Sequence, residues 1–195
     1  AGLWLAGGAV SMGMGIWSMH FIGMMAYQLP IPLSYDVPLT VTSLVIAIAA
    51  SGYALSVAHG PRISTGQLLQ SALVLGLGIT SMHYVGMQSI TVRPGLEYDP
   101  LLFAGSVAIA LVSSFVALRL FFHLRTVHGV TRHLLRAMAA VVMGLAIAGL
   151  HYTGMAATGF AANAWCSGGV QLAQQWLAVL IAVIALGLLG ITALL

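Results

Sequence analysis

The chain has 195 residues, 61% of them hydrophobic, and its only full charges are six arginines and three acidic residues; its mean hydropathy is +1.06. That composition cannot wet the surface of a soluble domain, so lipid must be its solvent. A pI near 9.4 does not argue for nucleic acid, because the arginines fall in short loops beside apolar runs, where topology and anionic headgroups account for them.

Six apolar runs, at about 3–27, 39–58, 67–90, 101–122, 134–160 and 171–195, come near or exceed the ~20 residues that span a bilayer. The expected fold is therefore an all-α membrane protein of six transmembrane helices. The first run lacks a charged leading segment and reads as a structural helix, not a cleavable signal. Asp36 follows it, and Arg62 separates runs two and three. Arg93, Glu97 and Asp99 lie between runs three and four, and Arg119, Arg125, Arg132 and Arg136 surround the connection from four to five. Five of the six arginines thus share one side, which the positive-inside rule places in the cytoplasm together with both termini. His123, His128 and His133, in the same arginine-rich connection, read as polar loop residues. Cys166 follows run five as the sole cysteine, so it has no disulfide partner and reads as an inert thiol more readily than as a ligand. The sequence stops at Leu195 inside an apolar run, as expected of a domain taken from a longer protein.

Aligning the odd-numbered runs on their histidines reveals an internal repeat. Met19-His20-Phe21-Ile22-Gly23-Met24, Met82-His83-Tyr84-Val85-Gly86-Met87 and Leu150-His151-Tyr152-Thr153-Gly154-Met155 share the pattern His-x-x-Gly-Met. Residues 1–195 then form one domain of three two-helix repeats, about 1–60, 61–128 and 129–195. Two crossings per repeat make the three motif helices parallel, implying pseudo-threefold symmetry about the membrane normal. His20 stands ten residues before Pro30, ~15 Å of helix rise, so the histidines should share one depth below the outer surface.

A methionine four residues beyond a histidine sits ~40° around the helix and one turn along, so His20/Met24, His83/Met87 and His151/Met155 share faces. Gly13 and Gly23, Gly76 and Gly86, and Gly144 and Gly154 fall on the same stripes, where small residues let membrane helices approach closely. A lone intramembrane histidine is best read as neutral and hydrogen-bonded, for instance to Ser18 or Ser81. Three at one depth, each with a methionine at the same offset, shift the reading to a metal site. Imidazole with thioether suits copper, as Cu(I) or Cu(II), with zinc ranked behind it. Met19 and Met82 point ~100° away and read as packing or supporting residues.

Two other classes remain in view. A copper or proton transporter would need ligands at several depths, for which Met12, Met14, Met138 and Met143 offer a weak second tier. A haem could take two of the histidines as axial ligands, though tightly packed glycine faces leave poor room for a macrocycle. Catalysis by this chain is not expected, since no buried carboxylate pair, activated nucleophile or phosphate loop is present.

Met82-His83-Tyr84 and His151-Tyr152-Thr153 resemble the signature of the MHYT domain, a bacterial membrane sensor module, over essentially the whole chain. Phe21 stands where Tyr84 and Tyr152 stand, and Leu150 replaces the methionine. The resemblance implies a multi-pass sensor of the bacterial inner membrane that binds copper near the outer face. Through the metal it would detect oxygen, carbon monoxide or nitric oxide, and it would signal to C-terminal cytoplasmic GGDEF and EAL domains that make and degrade cyclic di-GMP. Expected partners are thus the bilayer, a diatomic gas and those output domains, with a homodimer left open.

Overall fold

A computed structural model describes residues 2–26, 33–58, 60, 63–125, 131–161, 163, 165–166 and 171–194. Pro30, Arg62, His128 and Ser167 lie outside the described residues. Six helices account for most of the rest: α1 (Gly2–Ala26), α2 (Val37–Ala58), α3 (Thr65–Gln88), α4 (Pro100–Arg125), α5 (Thr131–Ala156) and α6 (Gln174–Leu194). The first five are long and apolar enough to cross a membrane, and α6 carries a described apolar stretch over Gln174–Leu188. The chain is a multi-pass membrane protein. Leu3, Trp4, Leu101, Leu145 and Leu186 turn outward and are largely exposed, as a lipid-facing surface requires.

Helix starts are set by local chemistry. Asp36 Oδ1 accepts from Leu39 N at 2.8 Å, capping α2. Asp99 Oδ1 accepts from Leu101 and Leu102 N, both at 2.9 Å, with Pro100 in the first helical position of α4. Ser64 and Gln67 close a reciprocal capping box on α3. Two of the three acidic side chains are therefore helix caps.

At the histidine end the connections are strands as well as loops, a difference from the helix-and-loop expectation. β1 (Ser34–Asp36) pairs with β6 (Gln171–Ala173), β2 (Val92–Arg93) with β5 (Trp165–Cys166), and β3 (Glu97–Tyr98) with β4 (Thr158–Gly159), all antiparallel. Tyr35 bridges to Ile90, and Asp36 N donates to Ser89 O at 2.7 Å. All three connections at this end are thus laced together. Strands of two or three residues leave no alternating pattern, so pairing between distant segments creates them.

Neighbouring helices pack in the order α6, α1, α2, α3, α4, α5. Trp17 Nε1 ties α1 to α2 by donating to Ser43 Oγ at 3.0 Å, and Tyr84 Oη lies 2.7 Å from Ser106 Oγ between α3 and α4. The first glycine of each motif behaves differently from its expected place on the histidine face. A Cβ at Gly13 would meet the Ile48 backbone of α2 at 2.6 Å, and one at Gly76 would meet Leu111 of α4 at 2.9 Å. Those glycines seat a return helix. Gly144 differs from both: it is exposed, and among the described residues nothing lies within 4 Å of a Cβ there.

Candidate metal centre

Three imidazoles meet in the core. His20, His83 and His151 are each 1% exposed, one from each of α1, α3 and α5. Their ring centroids lie 4.8, 5.2 and 5.3 Å apart, with all three rings edge to face. His20 Nδ1 stands 3.0 Å from His83 Nδ1 and 3.2 Å from His151 Nδ1. Among the described residues these three form a group whose candidate ligand atoms all lie within 4.8 Å of one another.

The second motif glycine explains the close approach. A Cβ at Gly86 would run into the ring of His20, one at Gly154 into that of His83, and one at Gly23 into that of His151. Each histidine therefore occupies the space beside the glycine of the next motif helix, in the cycle α1 to α3 to α5 to α1. The arrangement is threefold in contact as well as in sequence. Each ring also meets the aromatic residue that follows it: Phe21 and Tyr84 at 4.8 Å and Tyr152 at 5.2 Å between centroids. The cyclic seating shows that the glycines three residues past each histidine hold a neighbour's ring, a role that sequence spacing left as general helix packing.

Hydrogen bonding does not satisfy this cluster. Nδ1 of His20 carries either one proton or one lone pair, so it cannot complete full bonds to both neighbours. Among the described residues none of the three Nε2 atoms has a partner within hydrogen-bond geometry. Ser81 is exposed and Ser18 Oγ is itself buried without a partner, so neither serine supplies the bond that a purely structural histidine would use. Three converging imidazoles that keep nitrogen lone pairs uncommitted can turn them on a shared ion.

The donor set fits a metal ion. Three nitrogens around one ion at ~2.0 Å would stand ~3.5 Å apart in a trigonal plane. The observed 3.0 and 3.2 Å need to open by only a few tenths of an ångström. Met24, Met87 and Met155 are buried one turn nearer the strands, at 1%, 0% and 6% exposure. Met82 is buried as well, and Met19 is half-buried. The rings pack edge to face without a slot for a porphyrin. Of the suggested second tier, Met138 is 56% exposed and Met14 half-buried, whereas Met12 and Met143 line one apolar cavity. Cys166 enters β5 opposite Val92.

Two segments, residues 13–71 and 76–135, match the MHYT family, described as a bacterial signalling protein N-terminal repeat. The chain is 47% identical over 190 residues to the bifunctional diguanylate cyclase/cyclic di-GMP phosphodiesterase MucR of Pseudomonas aeruginosa, a match covering 96% of this chain and 27% of that protein. It is 40% identical over 145 residues to the signaling protein YkoW of Bacillus subtilis, covering 73% of this chain and 18% of the relative. With the cyclic di-GMP phosphodiesterase NbdA of Pseudomonas aeruginosa, identity is 44% over 116 residues, 60% of this chain and 15% of that one. The chain therefore spans about a quarter or less of the length of these relatives. No solved structure matches it.

Proposed function

Since the chain belongs to the MHYT family of bacterial signalling-protein repeats, we propose that it is the membrane-embedded sensing unit of a cyclic di-GMP signalling protein and that its sensor centre is a metal held by His20, His83 and His151. The observation that carries this reading is the meeting of three buried imidazoles whose nitrogens lack full hydrogen bonding within the protein. The chain's own part is to hold those rings: the cyclic glycine seats fix their separation, and the laced strands cover the cluster. Copper is the metal the donors suit best, because soft thioethers at Met24, Met87 and Met155 are available beside the imidazoles. Bound copper would supply a redox-active centre, cycling between Cu(I) and Cu(II), able to take a diatomic gas such as oxygen, carbon monoxide or nitric oxide.

The histidine end faces outward in this reading, with the arginine end and both termini in the cytoplasm of a bacterial inner membrane. Cyclase or phosphodiesterase chemistry, as named for the relatives, would then belong to cytoplasmic domains following this one. A change in metal ligation would act by altering how α1, α3 and α5 pack, which biases a conformational balance. The reading is tested by elemental analysis of purified protein beside a triple His20/His83/His151→Ala variant. About one copper per chain, lost in the variant, is expected. Equal metal in both would end the metal assignment, and zinc alone in the wild type would overturn copper while leaving the histidine site.

A further inference from the structure

Toward the arginine end, helices α1 to α5 line a half-open cavity of about 580 Å³, within the range of small-molecule sites. Met12, Leu55, Leu75, Phe121 and Met143 are among its apolar walls, and Arg136 is the one charged lining residue among the described residues. The three acidic residues of the sequence, Asp36, Glu97 and Asp99, all lie at the histidine end, away from Arg136. An exposed guanidinium at the mouth of an apolar cavity, at the arginine end of a membrane-spanning bundle, is placed to receive an anionic headgroup.

The dimensions narrow the occupant. From Arg136 to Ile147, both in the lining, α5 rises ~16 Å, the depth of one leaflet of a ~30 Å hydrocarbon core. A further apolar hollow of about 20 Å³ continues from Met12, Ile16 and Ile147 to Ile79 and Leu150, directly below the histidines. We propose that the cavity holds one acyl chain of an anionic membrane phospholipid, with its headgroup on Arg136. The headgroup sits at the arginine surface and the tail fills the space between α1, α3 and α5. Occupancy then sets how far apart the motif helices stand one to two turns below the triad, giving lipid composition a lever on the centre above it.

The test is native mass spectrometry of the full chain released from vesicles of phosphatidylglycerol mixed equally with phosphatidylcholine. Wild type should retain one phosphatidylglycerol per chain, at least tenfold over phosphatidylcholine. Arg136→Gln should lose that preference, and Ala140→Phe, which fills the cavity, should lose retention itself. Circular dichroism and metal content should be unchanged in both variants, which separates this result from any failure of the histidine site. Retention of both lipids alike by wild type, undiminished retention in Ala140→Phe, or recovery of a free fatty acid in place of phospholipid would each overturn the proposal.

Discussion

Gly23→Ala places a methyl group where the His151 ring now lies. The hypothetical Cβ would stand 3.0 Å from Cε1 of that ring and closer still to Nε2 and Cδ2. Ordinary van der Waals separation is restored only if the imidazole moves by about 1 Å. Overpacking of this kind costs ~1–3 kcal/mol, offset by the ~0.5–1 kcal/mol that alanine gains over glycine within a helix. The net loss of stability is therefore modest, about 0–2.5 kcal/mol. The effect on the centre is larger, because a 1 Å shift is half the length of a ~2 Å metal–nitrogen bond. Disturbing what orients a metal ligand typically weakens binding 10–100-fold. Gly144→Ala is the control, since nothing lies within 4 Å of its Cβ; it should bind metal normally and melt at or slightly above the wild-type temperature. The assay is metal titration beside thermal unfolding in detergent for both variants. If Gly23→Ala binds as wild type does, or Gly144→Ala loses as much, the glycine-seat reasoning is wrong.

Tyr84→Phe removes the contact to Ser106 between α3 and α4 and should cost about 0.5–1.5 kcal/mol in denaturant unfolding without changing metal content. Ser64→Ala breaks the α3 capping box and should cost ~0.5–2 kcal/mol by the same measurement. Tyr35→Phe should behave in the opposite sense, because its buried hydroxyl has no hydrogen-bond partner among the described residues and removing it should raise the melting temperature. Burial pushes the Tyr35 phenol up to about 12, so ionisation is easier unfolded, near ~10. Wild-type stability from this group is then intact below pH ~10 and lost between ~10 and ~12, by up to ~2–3 kcal/mol. An unfolding series across that range should show a shallower decline in Tyr35→Phe than in wild type.

Much of the architecture was legible because lipid makes composition decisive. Runs that must satisfy their backbone internally can only be helices, and the helix bounds of α1 to α5 fall within a few residues of those runs at most ends. Histidines in three similar sequence contexts placed a shared cluster within reach of sequence reasoning. Glycine roles were less legible. Gly13, Gly76 and Gly144 share one offset from their histidines, yet the first two seat α2 and α4 while the third meets nothing among the described residues. That difference lies in which helix packs behind each motif, which spacing does not encode. The short strands arise from pairing between segments some sixty residues apart or more, and over a hundred in one of the three sheets, and so leave no local pattern. Asp99-Pro100 was readable as a helix start; Asp36 and Asp99 serve as caps as well as marking the acidic side.

The central claim is that three histidines from three helices bind one metal, and X-ray absorption at the edge of the bound metal tests it most directly. Three imidazole nitrogens in its first coordination shell, with multiple-scattering features of histidine and any sulfur contribution assignable to Met24, Met87 or Met155, are the predicted result. A shell of oxygen ligands, or a spectrum unchanged in the His83→Ala variant, would contradict it.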